Sequence, residues 1–250
     1  MYKKTVLDNG ITVVTESIAY YSTVSIGIWW KAGSRYETAG VNGISHFIEH
    51  MLFKGTTGRT AYDIAREIDA IGGSLNAFTG REYTCLYARV LRKDLNVALD
   101  IIADMYRDSL FSSEDIEKER YVIIQEIKMI EDNPEEYIYD MFNASYYKDH
   151  ALGMPILGTE ESVEGLTGGQ LTACFRDLYG PENAIITVSG RVNHEACVEE
   201  IRRRFSGIPA GKDDGRMLIP PRATTGIDIY EKDLEHVYLC IGTDGVSQVD

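Results

Sequence analysis

The sequence predicts an α+β fold in which an antiparallel sheet is backed by helices, and three observations lead there. A turn tripeptide near the start separates two β-type runs, helical periodicity fills the middle of the chain, and strand-type and helix-type segments alternate as far as residue 205.

Taken in order, Asp8-Asn9-Gly10 supplies the turn between KKTVL and ITVVTE, because Asn-Gly tolerates the positive φ of tight hairpin turns. A strand over 24–32 follows, and the pattern becomes helical over 43–53. A second helix over 61–71 stops at Gly72-Gly73, where glycine suits a left-handed cap. SLNAFT and EYTCLYARVL read as strands, the second with partial period-2 alternation. Residues 94–147 are mostly helical: Leu95, Leu99, Ile102, Met105 and Tyr106 recur at helical spacing, and Ser113 before Glu114-Asp115 marks a helix start. Pro134 ends that helix or begins the next. A helix over 170–178, a strand over 184–189 and a helix over 194–205 complete the domain.

Residues 207–226 concentrate Gly, Pro and charge and are expected to be a linker, with 1–206 a domain of its own. Residues 227–250 resemble a strand, a turn and a strand, too few for a core, and read as the opening of a second domain.

With 44% hydrophobic and 26% charged residues the chain reads as an ordinary globular protein. A net charge of −14, with no dense Lys/Arg run, argues against a nucleic-acid partner. No stretch approaches the ~18 apolar residues of a membrane span, so no membrane partner is expected. Cys85, Cys174, Cys197 and Cys240 form no CxxC and suggest free thiols. The first fifteen residues lack the features of a signal or transit peptide, which points to the cytoplasm.

The chemistry concentrates in His46-Phe47-Ile48-Glu49-His50. Four residues is just over one helical turn, so both imidazoles project from one face toward a common point. Glu49 lies close to that face, as a general base for a metal-activated water would. Two imidazoles and one carboxylate form a catalytic ligand set for Zn²⁺ with a fourth position open, so a third ligand is needed from elsewhere. A helical stretch over 117–131 holds Glu119 and Glu126 seven residues apart on one face, among Val122, Ile123, Ile127 and Ile130. A carboxylate on a half-buried helix favours a cation.

With these residues the sequence resembles the pitrilysin-type zinc peptidases, which include insulysin and the mitochondrial processing peptidase β subunit and whose HxxEH inverts HExxH. The likeness runs from about residue 6 to 205, closest in GISHFIEHMLFKGT, IGGSLNAFTGREYT and EKERYVIIQEIKMIEDNPEE, and also covers HALGMPILGTEESVEGLT and LYGPENAIITVSG. It implies one half of a clamshell, one zinc held by His46, His50 and Glu126, Glu49 as base, and Glu119 supporting the ligands from behind. It further implies that a peptide substrate adds as a strand along residues 73–79, with Asn76, Ala77 and Phe78 at that edge. By the same likeness Phe53 lines the pocket past the scissile bond, and Glu136 and Asp140 grip a substrate arginine. Family members carry a second, similar half that closes over the substrate, so a partner half in cis or trans, including a homo- or heterodimer, is expected.

Together these readings predict a zinc endopeptidase acting on peptides or presequence-like segments. The rival readings are a non-catalytic peptide-binding or assembly subunit and a structural metal domain. The first predicts a broken motif, whereas this one is whole; the second favours cysteine ligands.

Overall fold

The computed structural model describes residues 2–208 and 219–246. Six strands form one sheet: β1 (Tyr2–Val6), β2 (Thr12–Ser17), β3 (Thr23–Trp30), β4 (Ser74–Thr79), β5 (Thr84–Leu91) and β6 (Ala184–Gly190), in the order β1-β2-β6-β3-β5-β4. Neighbours run antiparallel except at β2–β6, which is parallel, with Thr12 beside Ile185 and Ser17 beside Gly190. The expected hairpin is present. Gly10 adopts φ +94°, and Gly10 N–H donates to the Leu7 carbonyl at 2.9 Å. Along β3, Val24, Ile26, Ile28 and Trp30 face the core while Ser25 and Trp29 face the other way, the alternation a sheet with one covered face requires.

The helices are α1 (Ile44–Leu52), α2 (Ala61–Ala70), α3 (Leu95–Asp108), α4 (Ser113–Asp132), α5 (Pro134–Tyr146), α6 (Glu160–Gly165), α7 (Gly168–Leu178) and α8 (His194–Phe205). Pro134 begins α5, at the first position where its missing N–H costs nothing, after the Asn133 cap. The helix α1 is the central one. Seven of its residues, including His46, Phe47, Ile48 and Met51, are buried, and it touches β4, β5, α4 and α7. No helix among the described residues is long and apolar enough to cross a membrane, and the four cysteines are free thiols.

Residues 219–246 carry no strand, although 227–250 had suggested two; residues 209–218 of the expected linker and 247–250 lie outside the described residues. A strand needs a neighbour for its backbone donors and acceptors, and this segment pairs with neither edge of the sheet. It lies instead along α5, where Thr224 N–H donates to the Tyr146 carbonyl at 2.8 Å and Tyr146 Oη donates to Asp244.

Candidate metal centre

The start of α1 is held by a device outside the helix. Its cap residue, Gly43, has φ +90° and no side chain, so the free N–H groups of the first turn are met by Glu37. Glu37, only 6% exposed, accepts from Gly43 N–H and the Asn42 amide on one oxygen, at 2.8 and 2.9 Å, and from Ser45 N–H at 2.9 Å on the other. Burial pushes its carboxyl above the usual range, against the pull of those bonds. A Cβ on Gly43 would meet the Leu157 carbonyl oxygen at 2.4 Å. That contact, with the bond from the Asn42 amide to the Pro155 carbonyl, seats the HALGMPILG segment on the start of α1.

From this anchored helix His46 and His50 point toward α4. His46 Nε2 lies 3.8 Å and His50 Nε2 3.5 Å from Glu126 Oε2, and one ligand atom from each of the three residues falls within 4.8 Å of the others. Ligand atoms 2.0–2.2 Å from a tetrahedral zinc stand about 3.3–3.6 Å apart, so the cluster is close to the spacing zinc needs. Its protonation fits as well. Burial, reinforced by the charge of His50, pushes His46 down to about 4, which keeps it a neutral donor against the pull of Glu126. For His50 burial pushes down, but bonds to Glu126 and Glu119 outweigh it and raise the ring above its ordinary value. Glu126 is lowered, chiefly by its bond to His50.

Behind the cluster Glu119, 5% exposed, accepts from His50 Nδ1 at 3.0 Å. Glu49 does not face the histidines' ligand atoms alone; its Oε2 accepts a bond from the Thr79 hydroxyl at 2.6 Å. Burial raises its pKa, an effect that Thr79 and His50 oppose and Glu126 assists. A raised carboxyl is suited to taking a proton near neutrality.

The remaining expected residues divide. The edge strand β4 carries Asn76, Ala77 and Phe78 as anticipated, but on alternating faces. Ala77 is buried on the α1 side, whereas exposed Phe78 packs against Trp29, Tyr83 and Tyr87 on the opposite side, away from the metal ligands. The Asn76 amide oxygen accepts from Ala77 N–H at 2.9 Å and so covers a main-chain donor of the edge strand. Phe53, at the end of α1, is partly buried against the core. Glu136 is exposed on α5, and Asp140 lies 3.7 Å from Arg81 Nη2, which already gives it a cationic neighbour. Neither belongs to the group of His46, His50 and Glu126 that could hold a metal ion.

Two contributors escaped the sequence reading, Glu37 and Thr79. Glu37 left no signal, since it lies outside any periodic segment and no spacing rule ties it to the start of α1. Thr79 was within reach: period-2 alternation puts it on the same side of β4 as Ala77, the side that faces α1.

Two histidines one turn apart and a carboxylate from a second helix form a group that could hold a metal ion, with the Glu49 carboxylate close by on the same helix. Residues 12–160 match the family model described as Insulinase (Peptidase family M16), and residues 165–250 match that of the Peptidase M16 inactive domain. The chain belongs to the M16 family, which bears out its resemblance to the pitrilysin-type peptidases. The boundary between the two matches falls within one continuous fold, because β6 lies between β2 and β3.

Among curated relatives, the chain is 40% identical over 247 residues to an uncharacterized zinc protease, YmxG, of Bacillus subtilis, covering 98% of this chain and 60% of that one. It is 42% identical over 244 residues to an uncharacterized zinc protease of Rickettsia bellii, covering 98% and 59%. The chain thus spans about three fifths of the length of these relatives. Among solved structures, a protease from Helicobacter pylori superposes with a TM-score of 0.82 at 25% identity, over 88% of this chain and 53% of that one.

Proposed function

We propose that this chain is the zinc-binding catalytic half of an endopeptidase that hydrolyses peptides or presequence-like segments. The observation that carries the reading is the convergence of His46, His50 and Glu126, with Glu49 electrostatically coupled to the same cluster. Zinc, when bound by these three residues, supplies Lewis-acid polarisation of the scissile carbonyl and makes water more acidic. Glu49 takes the proton of the attacking water and delivers it to the leaving amine, held in place by Thr79. Glu119 fixes the His50 ring through Nδ1, leaving Nε2 toward Glu126.

The substrate adds along the free side of β4, where main-chain pairing gives affinity with little sequence demand and displaces the Asn76 amide from Ala77 N–H. Glu136 and Asp140 receive a basic side chain, with Arg81 competing for Asp140. A second M16 half, in cis or trans, closes the chamber. Residues 1–206 form the catalytic domain, 207–226 a linker, and 227–250 the opening of that second half.

The test combines zinc content with cleavage of a quenched peptide library by the chain supplied with a second half. Glu49→Gln retains zinc and loses about 10²–10⁴-fold in turnover, the range for a lost proton-transfer group. Glu126→Ala loses zinc itself. A wild-type chain that takes up no stoichiometric zinc would sink the enzyme reading, and a binding or assembly role would replace it.

A further inference from the structure

The Glu119 carboxylate has two oxygens and two partners, and only one partner belongs to the centre already described. Oε2 accepts from His50 Nδ1 at 3.0 Å, while Oε1 lies 2.6 Å from the ammonium of Lys54. Lys54 follows the end of α1, where its N–H donates to the Met51 carbonyl at 3.1 Å. Although Lys54 lies just past the helix, its side chain and that of His50 reach the same residue on α4. The carboxylate they share is almost wholly buried, its side chain 7% exposed, whereas the Lys54 side chain is 33% exposed at the rim. A buried carboxylate with one oxygen unpartnered could turn about its last torsion and exchange the oxygen it offers to His50. An ammonium on the other oxygen removes that freedom.

We propose that Lys54 is a positioning residue of the metal centre, clamping Glu119 so that His50 is held with Nδ1–H toward the carboxylate and Nε2 toward Glu126. The inference rests on the zinc reading above, and goes beyond it by assigning the order His50–Glu119–Lys54 to one chain of bonds. Among the described residues the Lys54 ammonium pairs with Glu119, and it acts through that carboxylate. Its contribution therefore depends on the Glu119 carboxylate being present, which separates positioning from a general role in folding.

The experiment measures zinc affinity by competition with a chromophoric chelator, and the melting temperature of the metal-free chain, in a double-mutant cycle. Lys54→Met is expected to weaken zinc binding about 10–100-fold, the usual cost of removing support behind a ligand. Lys54→Arg, which restores a cation on Oε1, recovers most of that loss. In a Glu119→Gln background the Lys54→Met change has little further effect on zinc affinity. Should Lys54→Met destabilise the fold, Lys54→Gln, which keeps a donor without the charge, takes its place in the same cycle. Unchanged zinc affinity in Lys54→Met, or an equal loss in both backgrounds, would overturn the assignment while leaving the zinc reading intact. A wild-type chain that binds no zinc would overturn both.

Discussion

The bond from Thr79 to Glu49 is the most direct handle on the proposed base. Thr79→Val keeps the branched shape and the β-propensity of the edge strand while deleting the hydroxyl that donates to Glu49 Oε2 at 2.6 Å. Hydrogen bonds to charged groups contribute about 1.5–3 kcal/mol, and that is the support the ionised form of Glu49 loses. The sign follows from which form the bond favours. Thr79 stabilises the ionised carboxylate and opposes the upward push of burial, so its removal raises Glu49 further. In the assembled enzyme the acid limb of kcat/KM against pH moves up, because that limb reports the base of the free enzyme. Carbon-13 titration of the Glu49 carboxyl in the metal-free chain reads the same shift without requiring turnover. A limb and a titration midpoint that both stay at their wild-type positions would refute the claim that Thr79 tunes the base.

Three further outcomes are expected. Glu37→Ala strips the acceptors from Gly43 and Ser45 N–H at the buried start of α1 and should cost about 3 kcal/mol, lowering the melting temperature by roughly 6–12 °C; a calorimetric change under about 1 kcal/mol would argue against Glu37 as the cap. Because the His50 pKa is raised in the folded chain, the proton it holds favours the metal-free fold below the ordinary value of 6.5, and that contribution disappears as pH rises through the folded value. Zinc must displace the proton, so affinity should climb with pH up to the folded value and then level. Calorimetric titration in buffers of different ionisation enthalpy checks this, and a flat affinity across that range would contradict it. Finally, Arg59 donates to Glu67, Asp100 and Asp104 at 3.0, 2.7 and 2.9 Å in the loop after α1, with Asp104 buried. Arg59→Met should cost about 2 kcal/mol in denaturant unfolding, less than a fully buried pair because Asp100 is exposed; no measurable loss would show the network to be idle.

Local periodicity made much of this molecule legible. The turn at Gly10, the helix ending before Gly72 and the pairing of His46 with His50 on one face each depend on residues within a turn or two of one another, where chain geometry alone fixes direction. Glu126 was expected as a ligand only through family likeness, and it is the fold that brings it beside the histidines, because no local rule spans the 76 residues after His50. The parallel pairing of β2 with β6 was also beyond local reading: alternation tells which face a residue takes, and says nothing of which strand lies beside it. For residues 227–246 the strand-like pattern was present without a sheet neighbour to complete it, and pattern alone does not satisfy a backbone.

The sequence by itself determined that two imidazoles share one face of a helix with a carboxylate close to it, since 3.6 residues per turn leaves no other arrangement. The tertiary structure alone decided what surrounds them: Glu37 at the helix start, Thr79 on the base, and Glu119 with Lys54 behind His50. The contacts of Thr79, Glu119 and Lys54 join residues distant in the chain, and those of Glu37 depend on how its loop folds back on the helix start, so their geometry exists only once the sheet and helices have packed around a common core.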